Sequence, residues 1–202
     1  MPLVGPQLLK SPRNVYPFQP VSNFHIQANI WTAEPTHPLY EGDLNANAKY
    51  ISHPMFDAGM NAGVTTGWGC YWRLPVATDD FYFMIGNQAI LQQADANVRG
   101  YAAHVDGTAS LITIERIDGN ATNTDLGAYA WTPDTNLHCM FLTREVSGAN
   151  RFWRLYYGSS IDSMTLIIGP TATDATYVQF YHLGTDHLTH DRIVWGGEWI
   201  SS

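Results

Sequence analysis

The carboxylates of this sequence are too scattered to form the pair that glycoside hydrolysis needs. That reaction uses two carboxyl groups on either side of one bond, and a Glu-x-Asp-x-Glu pattern would place them on one face of a strand. Glu41 and Asp43 begin such a pattern, but no third carboxylate follows. The other glutamates are isolated: Glu34, Glu115, Glu145 and Glu198. We therefore predict that the protein has no catalytic residues and is not an enzyme.

A short segment near the C-terminus gathers two histidines and two aspartates within residues 185–191. Its candidate metal ligands are Asp186, His187, His190 and Asp191, and zinc prefers such nitrogen and carboxylate ligands. Histidines three residues apart converge readily on a helix, however, and this segment lies between two predicted strands. The alternative, which we favour, is a polar hairpin loop whose aspartates cap turns.

Aspartates elsewhere offer the oxygen ligands that Ca²⁺ prefers. The candidates are Asp79, Asp80, Asp118 and Asp125. Their spacing does not match an EF-hand loop, and aspartate is common at turns and strand starts. We expect no cofactor, with Ca²⁺ as the alternative.

Aromatic residues exceed what a core of this size requires, with 7 Trp, 11 Tyr and 8 Phe. An exposed ring can stack on a sugar or anchor a protein interface. The candidates for such a ligand-binding surface are Trp68, Tyr71, Trp72, Trp153 and Tyr156. Packing inside the core is the alternative for each of them.

Composition and charge exclude several classes of partner. The net charge is −8 and no cluster of Lys and Arg exists, so we predict binding neither to nucleic acid nor to an anionic membrane. No apolar run is long enough to span a bilayer, and the N-terminal residues lack a signal-peptide pattern. The two cysteines are fewer than a secreted disulfide scaffold usually carries. We predict that Cys70 and Cys139 are buried free thiols, with a disulfide between them as the alternative.

The most regular stretch, residues 99–118, predicts a β-hairpin. Asp106-Gly107 favours a two-residue type I′ turn between two runs rich in β-branched and aromatic residues. Before the turn, Tyr101, Ala103 and Val105 alternate with Ala102 and His104; after it, Ile112 and Ile114 alternate with Leu111, Thr113 and Glu115. Period two turns one set inward and the other outward.

The rest of the chain supplies the strands that such a ribbon needs for stability. A second hairpin is predicted from 137–146 and 151–157, joined by residues 147–150. Further strands are predicted at 24–31, 70–76, 81–85, 164–168, 176–183 and 192–200, with 89–93 continuing the sheet. The Gly-, Asn- and Pro-rich segments 32–52, 53–69 and 119–133 predict loops. About ten strands separated by turns indicate an antiparallel sandwich or barrel.

Residues 1–22 contain five prolines, which exclude a helix and disfavour a central strand. They are also too apolar for a solvated linker. We predict an extended arm over residues 1–22 followed by a single domain over 23–202. The arm lies either across its own domain or across a neighbouring subunit, the second option making the protein a homo-oligomer; a disordered tail is the alternative.

Three stretches together resemble the back half of a concanavalin A-like, laminin G-like jelly roll: GYAAHVDGTASLITIERIDG, AWTPDTNLHCMFLTREVSGANRFWRLYYG and TYVQFYHLGT. The resemblance covers residues 81–199 and rests on the strand pattern, on Trp131-Thr132-Pro133 and on the hairpin about residues 147–150. Residues 158–160, Gly-Ser-Ser, stand where many relatives have Asp-Gly. The resemblance implies an all-β antiparallel jelly-roll sandwich.

That family includes sugar-binding lectins, β-glucanases, and adhesion or structural modules, many of them in virus and phage particles. The apolar arm, the low charge and the missing catalytic carboxylates favour a non-enzymatic structural or interaction module of a virus particle, such as a head decoration or fibre-associated protein. A carbohydrate-binding, lectin-like module is the alternative, and a polysaccharide-degrading enzyme is the third.

Overall fold

The computed structural model describes residues 25–26, 31–33, 39–42, 49–54, 65–74, 76–88, 91–160, 163–177, 179–187 and 193–201. The predicted arm over residues 1–22 lies outside these ranges, as do His190 and Asp191. The division into an arm and one domain therefore stays a prediction.

Fourteen β-strands dominate the described chain. They are β1 (His25–Ile26), β2 (Trp31–Ala33), β3 (Leu39–Gly42), β4 (Lys49–Pro54), β5 (Thr65–Arg73), β6 (Asp80–Gly86), β7 (Gly100–Asp106), β8 (Leu111–Ile117), β9 (Asn123–Ala130), β10 (His138–Ser147), β11 (Asn150–Gly158), β12 (Thr165–Thr173), β13 (His182–His187) and β14 (Ile193–Ser201). Within the described ranges, no helix has the length and apolar character needed to cross a bilayer.

The strands form two seven-stranded antiparallel sheets. Sheet I has the order β1-β4-β13-β6-β7-β8-β9, and sheet II has the order β12-β11-β10-β5-β14-β3-β2. Alternate side chains of facing strands fill the space between the sheets, as period two requires. The largest buried ones include Trp68 and Trp153 of sheet II and Phe83 and Tyr101 of sheet I, all 0% exposed. The predicted all-β antiparallel sandwich is confirmed.

The central hairpin exists as β7 and β8, but its turn differs from the prediction. Asp106 pairs with Leu111, so four residues rather than two connect the strands. Ser110 takes the left-handed conformation, with φ of 58°, and the Asp106 side chain caps the turn by accepting a hydrogen bond from the Ala109 amide at 2.7 Å. Gly107 serves close packing instead, because a Cβ there would lie 2.1 Å from the Ala77 carbonyl oxygen.

The second hairpin is formed by β10 and β11, as predicted. Ser147 pairs with Asn150, which leaves a two-residue turn. Gly148 at its first position has φ of 60°, the feature that a type II′ turn requires.

Several predicted loops are strands in the structure. Strands β2, β3, β4 and the start of β5 fall in segments where glycine, proline and asparagine predicted loops, and β9 replaces part of the loop expected over 119–133. Conversely, residues 91–93 of the predicted continuation over 89–93 are not a strand, and of the strand predicted over 176–183 only residues 182–183 are strand, since 176–177 and 179–181 are not. Pairing with partners distant in sequence decides these segments, because strand propensity depends on the neighbouring strand more than on the residue itself.

The two cysteines occupy opposite faces of sheet II and are both free and buried, as predicted. Cys70 on β5 belongs to the core between the sheets. Cys139 on β10 packs on the outer face, where its thiol lies 3.5 Å from the Met164 sulfur. The intervening sheet keeps the two thiols from pairing.

Candidate functional site

The outer face of sheet I carries an ordered group of polar side chains where an antiparallel sheet normally meets water. One row runs straight across four strands, since Asp186 on β13 is opposite Tyr82, Tyr82 is opposite His104, and His104 is opposite Thr113. All four are at most 9% exposed. We call this row together with Asp80, Asp106, Glu115 and Asn123 the sheet I polar face.

His104 and Glu115 form the centre of the sheet I polar face. Nδ1 of His104 lies 2.6 Å from Oε1 of Glu115, and the ring stacks on Tyr82 with a centroid separation of 4.0 Å. Glu115 also accepts hydrogen bonds from the Thr113 hydroxyl at 2.8 Å and the Asn123 amide at 2.7 Å. These three donors compensate the charge of a carboxylate that is only 5% exposed.

Electrostatics make His104 the proton carrier of this pair. Burial disfavours its charged form, but the contacts with Asp80 and Glu115 outweigh burial and raise the pKa of His104 to about 9. Burial likewise disfavours the Glu115 carboxylate, yet its hydrogen bonds, the one from His104 foremost, leave its pKa below the ordinary value. Glu115 is therefore an anion and an acceptor, so Nδ1 of His104 carries the proton between them.

Two aspartates lie beside His104 at the end of the same strands. Asp80 on β6 and Asp106 on β7 are direct cross-strand partners. Oδ2 of Asp80 is 3.5 Å from Nε2 of His104. One ligand atom from each of the three residues lies within 4.8 Å of the other two, which is an arrangement suited to a cation.

A long connection covers the other end of the sheet I polar face. Leu91 and Val98, from the segment between β6 and β7, form an apolar cluster with Met84, Ala102 and Ile117. The backbone N–H of Gln93 donates a 2.6 Å hydrogen bond to Oδ2 of Asp186. The polar groups are thus enclosed on one side, while the Asp80 and His104 side chains remain 17% and 11% exposed.

The side-chain amide of Asn123 has only one of its two polar atoms paired within the described residues. The Asn123 amide nitrogen donates to Glu115 and, at 3.2 Å, to the Tyr82 hydroxyl. Its carbonyl oxygen is buried and has no hydrogen-bond partner among the described residues. A buried acceptor without a donor is costly, so a ligand hydroxyl or a water would stabilise it.

Most of the aromatic side chains that the sequence predicted on the surface are buried. Trp68, Trp72 and Trp153 are 0% exposed inside the core, where no external ligand can stack on them, so the prediction does not hold for these three. Tyr71 is half-buried and Tyr156 is 7% exposed; both belong to a cluster on the outer face of sheet II with Cys139, Phe141 and Met164. The three tryptophans point inward along their strands, because large side chains are needed to fill the space between the two sheets at native packing density.

The metal-ligand candidates near the C-terminus are not a polar loop where the structure describes them. Residues 182–187 form β13, and Asp186 is fully buried on the sheet I polar face. His187 pairs through its backbone with Phe81 and Lys49. Because Thr185–His187 are strand residues, the interpretation of this part as a hairpin loop was wrong.

The other three aspartates predicted as Ca²⁺ ligands lie in different parts of the fold. Asp79 is 1% exposed, and its backbone carbonyl accepts the Gly107 amide at 2.9 Å. Asp118 binds Arg116 through both oxygens and accepts the Tyr177 hydroxyl at 2.6 Å. Asp125 is exposed on β9. Of the sequence candidates, only Asp80 joins a described group with metal-ligating geometry.

Sequence reasoning missed His104, Asp106, Glu115 and Asn123 as site residues. The alternation in residues 99–118 did place His104 and Glu115 off the core face, so one signal was available. A buried polar pair on the outward set of two adjacent strands is unusual for a face that should be solvated. Recognising it requires the register and the adjacent strand β6, which the sequence pattern does not specify.

Comparison with known proteins identifies the fold. No family model and no curated protein sequence matches this chain. A seed lectin of Lotus tetragonolobus superposes with a TM-score of 0.57 at 12% identity, over 94% of this chain and 96% of the lectin. The carbohydrate-binding module CBM66 from Bacillus subtilis gives 0.56 at 14% identity, over 89% of this chain and 96% of the module.

A third similar structure comes from a phage protein. The CBM2 module of the evolved Dit of Lactobacillus casei BL23 phage J-1 superposes with a TM-score of 0.51 at 11% identity, over 94% of this chain and 96% of the module. These likenesses, with the two-sheet topology, confirm the predicted concanavalin A-like jelly roll. At such low identity they establish the fold and nothing finer.

Proposed function

We propose that this chain is a non-enzymatic carbohydrate-binding module whose site is the sheet I polar face. The observation that carries the proposal is the unpaired, buried carbonyl oxygen of Asn123 beside the Glu115 carboxylate. Sugar hydroxyls are donors, and a face with a surplus of acceptors suits them. The similar lectin and carbohydrate-binding module support the same class of ligand by analogy of fold.

The charge of the face selects among glycans. Among the described residues of the sheet I polar face, the four carboxyl groups of Asp80, Asp106, Glu115 and Asp186 outnumber the one imidazole of His104, so this set of side chains is acidic even when His104 carries a proton. Sulfated and phosphorylated sugars would be repelled. We therefore expect neutral or amine-bearing glycans.

The absence of catalysis in this proposal has a physical basis. Glycoside hydrolysis requires a carboxylic acid that stays protonated near neutral pH, which means a raised pKa. Glu115, Asp118, Asp134 and Asp174 have pKa values below their ordinary range, because hydrogen bonds outweigh the effect of burial on each of them. These four carboxyl groups are therefore acceptors near neutral pH and are poorly suited to protonate a leaving group.

A glycan array of neutral, amine-bearing and sulfated oligosaccharides, followed by calorimetry on the best ligand, tests the proposal. Each measurement is made with EDTA, with Ca²⁺ and with Zn²⁺, because Ca²⁺ is the alternative to the expected absence of a cofactor and the face contains a group of residues suited to a cation. We expect Glu115→Gln and Asn123→Ala to weaken binding at least 10-fold, while Glu145→Gln, on the outer face of sheet II, leaves it unchanged. An array with no bound glycan under any condition would contradict the proposal, as would release of reducing ends.

We propose a virus particle as the setting of this module, with the arm over residues 1–22 joining subunits into a homo-oligomer. The phage Dit module supports the setting by analogy of fold, and the apolar, proline-rich sequence of the arm supports contact with another surface. Light scattering of the full chain against residues 23–202, with circular dichroism to verify folding, tests the role of the arm. If both samples were monomers, the proposal that the arm joins subunits would be contradicted.

A further inference from the structure

Two acidic side chains stand directly opposite each other on adjacent strands of sheet I. Asp80 on β6 pairs with Asp106 on β7. Like charges in this position repel and destabilise a sheet. A cation between them would turn that repulsion into attraction, and Nε2 of His104, a residue that is nine-tenths buried, lies 3.5 Å from Oδ2 of Asp80.

The ring of His104 is held in the orientation that a metal ligand needs. Its Nδ1 donates to Glu115 at 2.6 Å, and Thr113 and Asn123 fix that carboxylate in turn. A carboxylate behind one imidazole nitrogen is the usual support for metal binding at the other. Nε2 is buried and has no hydrogen-bond partner within the part of the chain that the structure describes, and Oδ2 of Asp80 lies 3.5 Å from it.

The separations match those around a small transition-metal ion. Bonds of about 2.1 Å from zinc to nitrogen and oxygen place neighbouring ligands of a tetrahedron about 3.4 Å apart. Nε2 of His104 and Oδ2 of Asp80 are 3.5 Å apart, which is long for a hydrogen bond but right for sharing one ion. The three ligand atoms all lie within 4.8 Å of one another. A small rotation of the aspartate side chains would therefore bring all three atoms to bonding distance of one ion.

We propose that Asp80, His104 and Asp106 bind one divalent transition-metal cation of the Zn²⁺ class. The cation replaces the proton on Nε2, which passes to solvent, and three protein ligands leave a fourth position open. Glu115 is a positioning residue that orients the imidazole. Ca²⁺ fits this set poorly, because it takes six to eight oxygen ligands and does not favour imidazole. The proposal is independent of glycan binding.

Calorimetric titration of Zn²⁺ into the EDTA-treated, dialysed full chain tests the site. We expect one high-affinity ion per chain, weakened at least 100-fold by His104→Gln and at least 10-fold by Asp106→Asn. The matched control His138→Gln, at a buried histidine on sheet II, should keep the high-affinity ion. Asp106 is half-buried, and its substitution keeps the test valid if His104→Gln fails to fold.

The positioning role of Glu115 has its own readout. Co²⁺ in the same site gives visible absorption bands that report the geometry and ligand field of the imidazole. We expect Glu115→Gln to shift these bands and to weaken Zn²⁺ by 10- to 100-fold, while His138→Gln changes neither. Wild-type Zn²⁺ affinity weaker than about 1 mM, unchanged affinity in both folded ligand variants, or Ca²⁺ binding tighter than Zn²⁺ would overturn the proposal.

Discussion

Nδ1 of His104 and Oε1 of Glu115 are 2.6 Å apart on adjacent strands, and their side chains are only 11% and 6% exposed on the outward face of their sheet. A buried ion pair of this kind is costly to form and far more costly to break, because either partner alone leaves an uncompensated charge. The pair therefore has consequences for stability whether or not a ligand binds.

Removing both partners should destabilise the metal-free protein less than the two single removals added together. We expect His104→Gln and Glu115→Gln each to lower the free energy of unfolding by about 3–5 kcal/mol. The double variant should lose less than the sum, with a coupling energy of about 1–3 kcal/mol. Urea unfolding in EDTA of the wild type and the three variants completes the cycle, and additive losses would show that the pair is not coupled.

The ion pairs of Arg116 should make the free energy of unfolding decrease as the pH falls into the acidic range. It binds Asp118 and Asp174, at 3.0 and 2.7 Å. Burial disfavours both carboxylates, but their hydrogen bonds outweigh it and lower both pKa values. A carboxyl whose pKa is lower in the folded state than in the unfolded state stabilises the fold above about pH 4, and that contribution is lost as the pH falls through the folded-state pKa.

We therefore expect the melting temperature to fall steeply below about pH 4 in the wild type and less steeply in Arg116→Gln. Arg151→Gln is the matched control, because Arg151 donates to the backbone carbonyls of Gly148 and Asn150. Calorimetric melting from pH 2 to pH 6 provides the measurement. Parallel profiles for all three proteins would contradict this account of Arg116.

A single methyl group at position 100 should disrupt sheet I. Gly100 faces Gly86 across β6 and β7, and a Cβ at Gly100 would lie 1.9 Å from the Ile85 carbonyl oxygen. Backbone cannot yield as a side chain does, so we expect Gly100→Ala to cost about 3 kcal/mol or more. Gly169→Ala on the edge strand β12, where nothing lies within 4 Å, should stay within about 0.5 kcal/mol. Equal unfolding midpoints in urea would refute this prediction.

The two cysteine thiols should react only slowly with thiol reagents in the native protein. Cys70 and Cys139 are both buried, and burial raises the pKa of the Cys139 thiol above its ordinary value, so little thiolate exists near neutral pH. We expect a thiol-specific chromogenic reagent to react slowly without denaturant and to titrate two thiols per chain in guanidinium without reductant. Fewer than two thiols in guanidinium would indicate a disulfide and contradict the structure.

Much of the fold follows from local pattern, and the central hairpin shows how far that pattern reaches. Tyr101 and Ile114 face the core and His104 and Glu115 face outward, as the alternation indicates. The two-residue turn assumed at Asp106-Gly107 would pair His104 with residue 109, whereas the four-residue turn pairs it with Thr113. Shifting the partner by four residues preserves which face each residue occupies, because the period is two. It changes every cross-strand neighbour.

The candidate site depends on those neighbours, and so the sequence could not supply it. The aromatic prediction failed for a related reason: period two distinguishes two faces but does not say which of them meets a second sheet, and Trp68, Trp72 and Trp153 meet it. Strand order is equally hidden, since β13 lies between β4 and β6 although about a hundred residues separate it from β6.

The amino-acid sequence by itself determined an all-β chain, its two hairpins and its net negative charge, because period, turn residues and charge are local properties. Only the tertiary structure decided that Asp80, His104, Asp106 and Glu115 share one patch. Register and strand order are set by burying the whole core at once, and side chains from three strands come together only after that global choice has been made.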